Sequence, residues 1–207
     1  MATINLQKGQ KIDLTKGNPG LSKIMVGLGW DEVTTGKPKS GGIMGSLFGG
    51  GASSAAIDCD ASAILLDAQN KLTSKDRLVY FGNLQSGDKS VKHSGDNLTG
   101  AGDGDDEQIN VELNNVPSNV QKIVFVVNIY DSQKRKQDFG LIANAFIRIV
   151  NPVNNQEFCR YNLTESYAGK TSLVAAEVYR HNNEWKFAAI GEGTNDASLS
   201  ELVRRYQ

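Results

Sequence analysis

The run Asp96-Asn97-Leu98-Thr99-Gly100-Ala101-Gly102-Asp103-Gly104-Asp105-Asp106-Glu107 holds five acidic side chains and no basic one. Carboxylates crowded into so short a stretch repel one another unless a cation neutralises them. Gly100, Gly102 and Gly104 permit sharp turns, so main-chain carbonyls can join the carboxylates, the Asn97 amide and the Thr99 hydroxyl. Such a donor set is all oxygen, which suits calcium rather than zinc or copper. Its irregular spacing fits calcium's flexible coordination better than magnesium's strict octahedron. The window has the length of an EF-hand loop, with Asp first and Glu last. Leu98 and Gly100 stand where that loop needs ligands, and Ala101 stands where it needs its glycine. It is not an EF-hand.

Three more carboxylates are candidates to join the run. Asp58 and Asp60 lie two apart on an extended segment and so share a face, and Asp31 follows the strand that ends Gly29-Trp30. On the residues alone, the alternatives are a metal site, a solvated acidic loop with unrelated strand-end aspartates, and a general acid/base pair. Nothing in the sequence supplies a nucleophile for the last.

Other reactive residue types point away from chemistry. His93 and His181 have no ligand spacing, which argues against a histidine-based zinc site. Cys59 and Cys159 make neither a disulfide framework nor a four-ligand site and read as reduced thiols in or near the core. Trp30 and Trp185 read as core or rim anchors, and Lys134-Arg135-Lys136 as a solvated basic loop between strands. With 22 basic and 23 acidic residues, the chain has no global attraction for nucleic acid, and no aromatic ladder accompanies its basic residues. No nucleic-acid partner is expected. The first ten residues lack an apolar signal core, and no apolar stretch approaches the roughly 20 residues of a membrane span, so a cytoplasmic location is expected.

The elements that must position these residues are mostly strands. Leu21–Gly29, Ala56–Leu66, Leu78–Phe81, Ser90–His93, Ile109–Leu113, Lys122–Tyr130, Ile142–Val150, Phe158–Leu163, Thr171–His181 and Glu184–Ile190 have strand length and β-branched or aromatic content. Within the second of these, Ile57, Cys59, Ala61, Ala63 and Leu65 share one face, leaving Asp58, Asp60 and Ser62 on the other. Asn182-Asn183 marks a tight hairpin. This spacing predicts a sandwich or barrel of antiparallel strands. One helix closes the chain: Ser198 and Glu201 have capping-box spacing, and Leu199, Leu202, Val203 and Tyr206 make its apolar stripe. A flexible Gly/Ser-rich insertion at 36–55, carrying the apolar island Ile43, Met44, Leu47 and Phe48, interrupts an otherwise single domain spanning 1–207.

Several blocks together resemble the TerD family, the calcium-binding proteins of bacterial tellurium resistance and general stress clusters. They are Val26-Gly27-Leu28-Gly29-Trp30-Asp31, Ile57-Asp58-Cys59-Asp60-Ala61, His93-Ser94-Gly95-Asp96-Asn97-Leu98-Thr99-Gly100 with Gly102–Glu107, Tyr179-Arg180 with Trp185-Lys186-Phe187, and Ala189-Ile190-Gly191-Glu192-Gly193. The Gly-Asp-Asn-Leu-Thr-Gly block is the most specific, and the insertion at 36–55 departs from the compact family pattern. The resemblance implies an all-β fold, a β-sandwich of two mainly antiparallel sheets with a short C-terminal helix and calcium bound at one end. It carries over Asp31, Asp58, Asp60, Asp96, Asn97, Asp103, Asp105, Asp106 and Glu107 as metal positions. That many carboxylates suit two calcium ions better than one. The implied role is a non-enzymatic binding or scaffold module in stress response, working with other stress-response proteins, some at the inner membrane surface. The rivals are a hydrolase using the acidic cluster around a divalent metal, and a structural protein with incidental metal affinity.

Overall fold

Alternation along the strands writes the core. Ile24, Val26, Leu28 and Trp30 are all buried in one cluster, which puts Gly27 and Gly29 between them on the opposite face of their strand. The computed structural model describes residues 3–33, 57–95 and 104–207. Its strands are β1 (Ile4–Leu6), β2 (Lys11–Asp13), β3 (Lys23–Glu32), β4 (Cys59–Leu66), β5 (Leu78–Val79), β6 (Val91–His93), β7 (Glu107–Glu112), β8 (Lys122–Ile129), β9 (Ile142–Asn151), β10 (Gln156–Asn162), β11 (Ser172–His181) and β12 (Glu184–Thr194). One sheet runs β1-β10-β9-β3-β7-β6 and the other β2-β12-β11-β8-β4-β5. Only the β1–β10 pairing is parallel among the described strands. The expected sandwich forms, and its inner faces meet through Leu28, Ile109, Ile147, Phe125, Ala176 and Phe187, among others.

The hairpin between β11 and β12 turns through Asn182 and Asn183, whose φ angles are 51° and 63°. Two consecutive residues in the left-handed region give the turn whose twist matches the flanking strands, and asparagine tolerates that region better than most side chains. Two features differ from expectation. Nothing in the sequence marks strands at Ile4–Leu6 or Lys11–Asp13; each has three residues, too few for alternation to register, and each exists by docking on the edge of a sheet built elsewhere. Asp58, Asp60 and Ser62 predict a polar face at the start of β4, yet both faces of the strand are buried. A one-turn helix α1 (Ser132–Arg135) follows β8, and Ile64, Leu66, Val124, Val126 and Val174 form a second apolar cluster outside the sandwich, covered by Leu202 and Val203 of the C-terminal helix α2 (Leu199–Val203).

That helix is held as its spacing predicts. The Ser198 hydroxyl accepts the Glu201 N–H at 3.3 Å, and the Glu201 carboxylate reaches back to the Ala197 N–H at 2.8 Å. Arg204 and Arg205 continue the chain as a short 3₁₀ turn, and Arg205 pairs with Glu192 and Asp196. The insertion at 36–55 lies outside the described residues, apart from what flanks it.

Candidate metal centre

Topology brings the sequence-distant carboxylates to one end of the sandwich. The C-terminal end of β3 pairs with the N-terminal end of β7, Leu28 opposite Glu107, and with the start of β9, Glu32 opposite Ile142. The start of β4 pairs with the end of β8, Cys59 opposite Ile129. Two side chain and main chain links tie these ends together across the sheets. The Ile57 N–H donates to the Glu32 carboxylate at 2.5 Å, and the Ala61 N–H donates to Glu107 at 2.5 Å. Asp60, Asp58, Glu107 and Asp106 all bear electrostatically on the Cys59 thiol. Burial first, then these four carboxylates, push that thiol well above its ordinary range. A cysteine so placed is protonated and inert. Cys159 is likewise buried and free, and burial pushes it up to about 12.

The three consecutive acids at the start of β7 point three ways. Asp105 lies over the outer face of the first sheet. Arg148 of β9 grips it with two hydrogen bonds, Nε to Oδ1 at 2.7 Å and Nη2 to Oδ2 at 2.9 Å, and the Asp105 side chain has no exposed surface. Asp106 caps the edge of β3: its N–H donates to the Leu28 carbonyl and its Oδ2 accepts the Trp30 N–H at 2.7 Å. Its carboxyl is held above the ordinary value, by burial first and then by Asp31 and Asp105, against the lowering effect of the Trp30 N–H. Glu107 turns inward and is 1 % exposed.

Glu107 and His93 complete the free edge of β4. Strand β5 pairs only with Ala63 and Ile64, so among the described residues Ala61 has no ladder partner on that side. The Glu107 carboxylate takes the Ala61 N–H, and the buried His93 Nε2 lies 3.2 Å from the Ala61 carbonyl and 3.5 Å from Glu107. His93 Nδ1 accepts the Gly95 N–H, which leaves the proton on Nε2 to serve the Ala61 carbonyl. Two side chains from one sheet thus stand in for a missing strand of the other.

The remaining predicted positions divide. Asp31 is exposed at the end of β3, and the Asn144 amide donates to it at 2.8 Å. Asn144 sits in a bulge of β9, at φ 52°, which aims its side chain across at Asp31. The Asp58 carbonyl accepts the Tyr130 N–H, and Arg135 Nη1 lies 3.6 Å from the Asp58 carboxylate. Asp60 is buried beside the Asn128 amide, 3.5 Å away. Asp96, Asn97 and Asp103 fall outside the described residues. Among the described residues, no three His, Cys, Asp or Glu side chains are grouped tightly enough to hold a metal by themselves.

Sequence reasoning missed two contributors. Arg148, in the middle of a strand, gave no sign that it would meet the acidic run. Of the basic cluster, Lys134 and Lys136 are exposed as a solvated segment requires, but Arg135 sits over the Tyr130 ring at 5.1 Å and faces Asp58. Strand pairing would have been needed to find either. Beside Asp31 and the main chain of Gly104 opens a cleft of about 770 Å³, lined also by Trp30, Asn144, Phe146 and Tyr167.

A two-sheet β-sandwich with acidic side chains gathered at one end is the class these features define. The chain belongs to the TerD family: the TerD domain model matches residues 1–206. It is 58 % identical over 203 residues to "Stress response protein SCP2" of Bacillus subtilis (strain 168), covering 98 % of each chain. It is 44 % identical to "Tellurium resistance protein TerD" of Serratia marcescens, covering 92 % of this chain and 91 % of that one. A solved homologue of telluride resistance protein (TerD) from Streptomyces coelicolor A3(2) shares the fold, with a TM-score of 0.62 at 20 % identity over 88 % of this chain and 98 % of that one. No helix among the described residues is long and apolar enough to cross a membrane.

Proposed function

We propose that this chain is a calcium-binding, non-enzymatic binding or scaffold module of the bacterial stress response, acting in the cytoplasm with other proteins of that response. The observation that carries the reading is the convergence of Asp31, Asp58, Asp60, Asp106 and Glu107, from three separate strands, on one end of the sandwich. Asp106 supports it further, since its carboxyl is raised in part by its acidic neighbours, a cost that a bound cation would remove. The donors are oxygens, as calcium prefers. Asp31 and Asp106, with Asp58, Asp60 and Glu107 nearby and Asp96, Asn97 and Asp103 from the loop, would hold the metal. Such a set suits two ions. A bound cation would offset the repulsion and order the loop's ends against β3 and β4.

Calorimetric titration with calcium chloride tests this. Saturable heat with one to two ions per chain is expected, together with a calcium-dependent rise in Tm, because a ligand that binds only the folded state stabilises it. No saturable heat and an unchanged Tm would refute it.

One observation favours a second reading, a hydrolase built on a divalent metal. Asp31 stands in the wall of the 770 Å³ cleft, where an ion could keep an open position, and the cleft includes Trp30, whose buried indole Nε1 has no acceptor among the described residues. No histidine, lysine or cysteine lines the cleft, so its base and nucleophile would have to come from Glu165 and the hydroxyls of Thr164 and Ser166. Turnover of phosphate or carboxylate esters by the calcium-loaded or manganese-loaded protein would favour this reading over the first.

A further inference from the structure

We propose that Asp105 is the anchor of the acidic loop and not one of its cation ligands, and that Arg148 is the residue that positions the loop through it. This rests on the calcium reading for its consequence but on the outer face of the first sheet for its evidence. Both Asp105 oxygens are taken by one guanidinium in the forked geometry that carboxylates match best, and Gln108 Nε2 adds a third donor at 3.1 Å. The third arm of that guanidinium is held as well. Arg148 Nη1 donates to Glu157 at 2.8 Å, and Glu157 is gripped in turn by Arg160 through Nε and Nη2, each at 3.2 Å.

The floor beneath the anchor is equally specific. A Cβ on Gly27 would lie 2.2 Å from Asp105 Oδ1, and one on Gly29 would lie 2.6 Å from the Gly104 carbonyl oxygen. Only residues without side chains at these two positions let 104–105 lie flat on the sheet. Arg148 sits opposite Gly27 in the β3–β9 pairing, so the fork rises beside the gap that glycine leaves. The next residue is then fixed: with Asp105 pinned, Asp106 reaches the Leu28 carbonyl and the Trp30 N–H. The fork also neutralises one of the three acids at the start of β7. It thereby lets the other two face the sandwich end without a fully unbalanced charge.

The two roles predict opposite outcomes. If Asp105 were a ligand borrowed by Arg148, removing the arginine would release it and tighten calcium binding. If it is an anchor, removing either partner loosens the loop and weakens binding without removing a site. Wild type, Arg148→Met, Arg148→Lys, Asp105→Asn and the Arg148→Met/Asp105→Asn double variant would be compared below the Tm of all five. In chelator, the exchange rates of the Trp30 and Asp106 amides are read by NMR. Calorimetry with calcium chloride then gives affinity and stoichiometry. Exchange about tenfold faster or more in Arg148→Met is expected, as for loss of a charge-assisted hydrogen bond.

The double variant should be no worse than Arg148→Met alone. Arg148→Lys, which keeps charge but not the fork, should fail to restore wild-type rates. Calcium affinity should fall in Arg148→Met with stoichiometry unchanged, a result that a purely structural role would not produce in folded protein. Tighter calcium binding by Arg148→Met, lower stoichiometry in Asp105→Asn, or additive effects in the double variant would each overturn the proposal. If the wild type takes up no calcium, the calcium reading fails separately. The exchange measurements in chelator still judge the anchor: non-additive losses uphold it, and additive or absent losses overturn it.

Discussion

Replacing Glu107 tests how the sandwich closes at its acidic end. Its carboxylate accepts the Ala61 N–H at 2.5 Å, at a point where β4 has no neighbouring strand on the side away from β8 among the described residues, and Glu107 is buried. Glu107→Met keeps the length of the side chain but leaves that N–H without its acceptor. Glu107→Gln keeps an oxygen for it. Both replacements are uncharged, so any change in the electrostatics around Cys59 is common to the two. The difference between them therefore isolates the hydrogen bond. A buried donor left unsatisfied costs about 1–3 kcal/mol, so Met should be less stable than Gln by about 2 kcal/mol. With an unfolding entropy near 2.1 cal/mol/K per residue over 207 residues, that corresponds to a Tm lower by about 5 °C. The assay is thermal unfolding followed by circular dichroism in chelator, which removes metal binding from the comparison. Equal Tm values for the two variants would refute the strut, and a more stable Met variant would show that the Ala61 N–H finds its partner elsewhere.

Three further outcomes follow from the same geometry. Asp106 has a folded pKa above its ordinary value, so its ionisation penalises the fold once pH rises above that folded value, and the penalty is absent below the unfolded one. Asp106→Asn should therefore raise Tm in chelator at neutral pH, with the gain vanishing in a pH series taken below about 3.8, and should shrink the rise in Tm on adding calcium. Gly27→Ala should cost about 1–3 kcal/mol by chemical denaturation, because the clamped Asp105 cannot yield to a Cβ at 2.2 Å. Gly17→Ala, with nothing within 4 Å, is its control and should stay within about 0.5 kcal/mol of wild type. Ser198→Ala should cost about 1 kcal/mol, read as a Tm lower by about 2 °C, through loss of the α2 cap.

Much of this architecture was legible in the chain. Ten strands stand within a few residues of where β-branched and aromatic runs predict them. The Asn182-Asn183 turn has the backbone its residues favour, and α2 buries Leu202 and Val203 as its stripe requires. These signals are local: a period of two, a turn residue that accepts positive φ, a hydroxyl three residues before a carboxylate. Strands β1 and β2 were not legible, because three residues carry no period and their order comes from a neighbour's unpaired edge. The burial of the outer face of β4 was not legible either, since Ile64 and Leu66 are covered by a helix more than a hundred residues away.

The acidic run shows the same division most sharply. From the sequence alone, Asp105, Asp106 and Glu107 are three equal carboxylates in a cluster that calls for a cation, because charge density and oxygen chemistry do not depend on direction. Tertiary structure makes them unequal. Pairing β7 to β3 turns Glu107 inward with Ile109 and Val111, towards Ala61 and His93, while the bend at Asp106 ahead of the strand breaks the alternation, so that Asp105 lies outward on Arg148 and Asp106 sits at the edge beside Asp31. Composition determined that this end of the protein would be acidic. Only the pairing of β7, the bend just before it, and the partners that other strands bring to each side decided that Asp105 meets Arg148, that Glu107 meets Ala61 and that Asp106 lies beside Asp31.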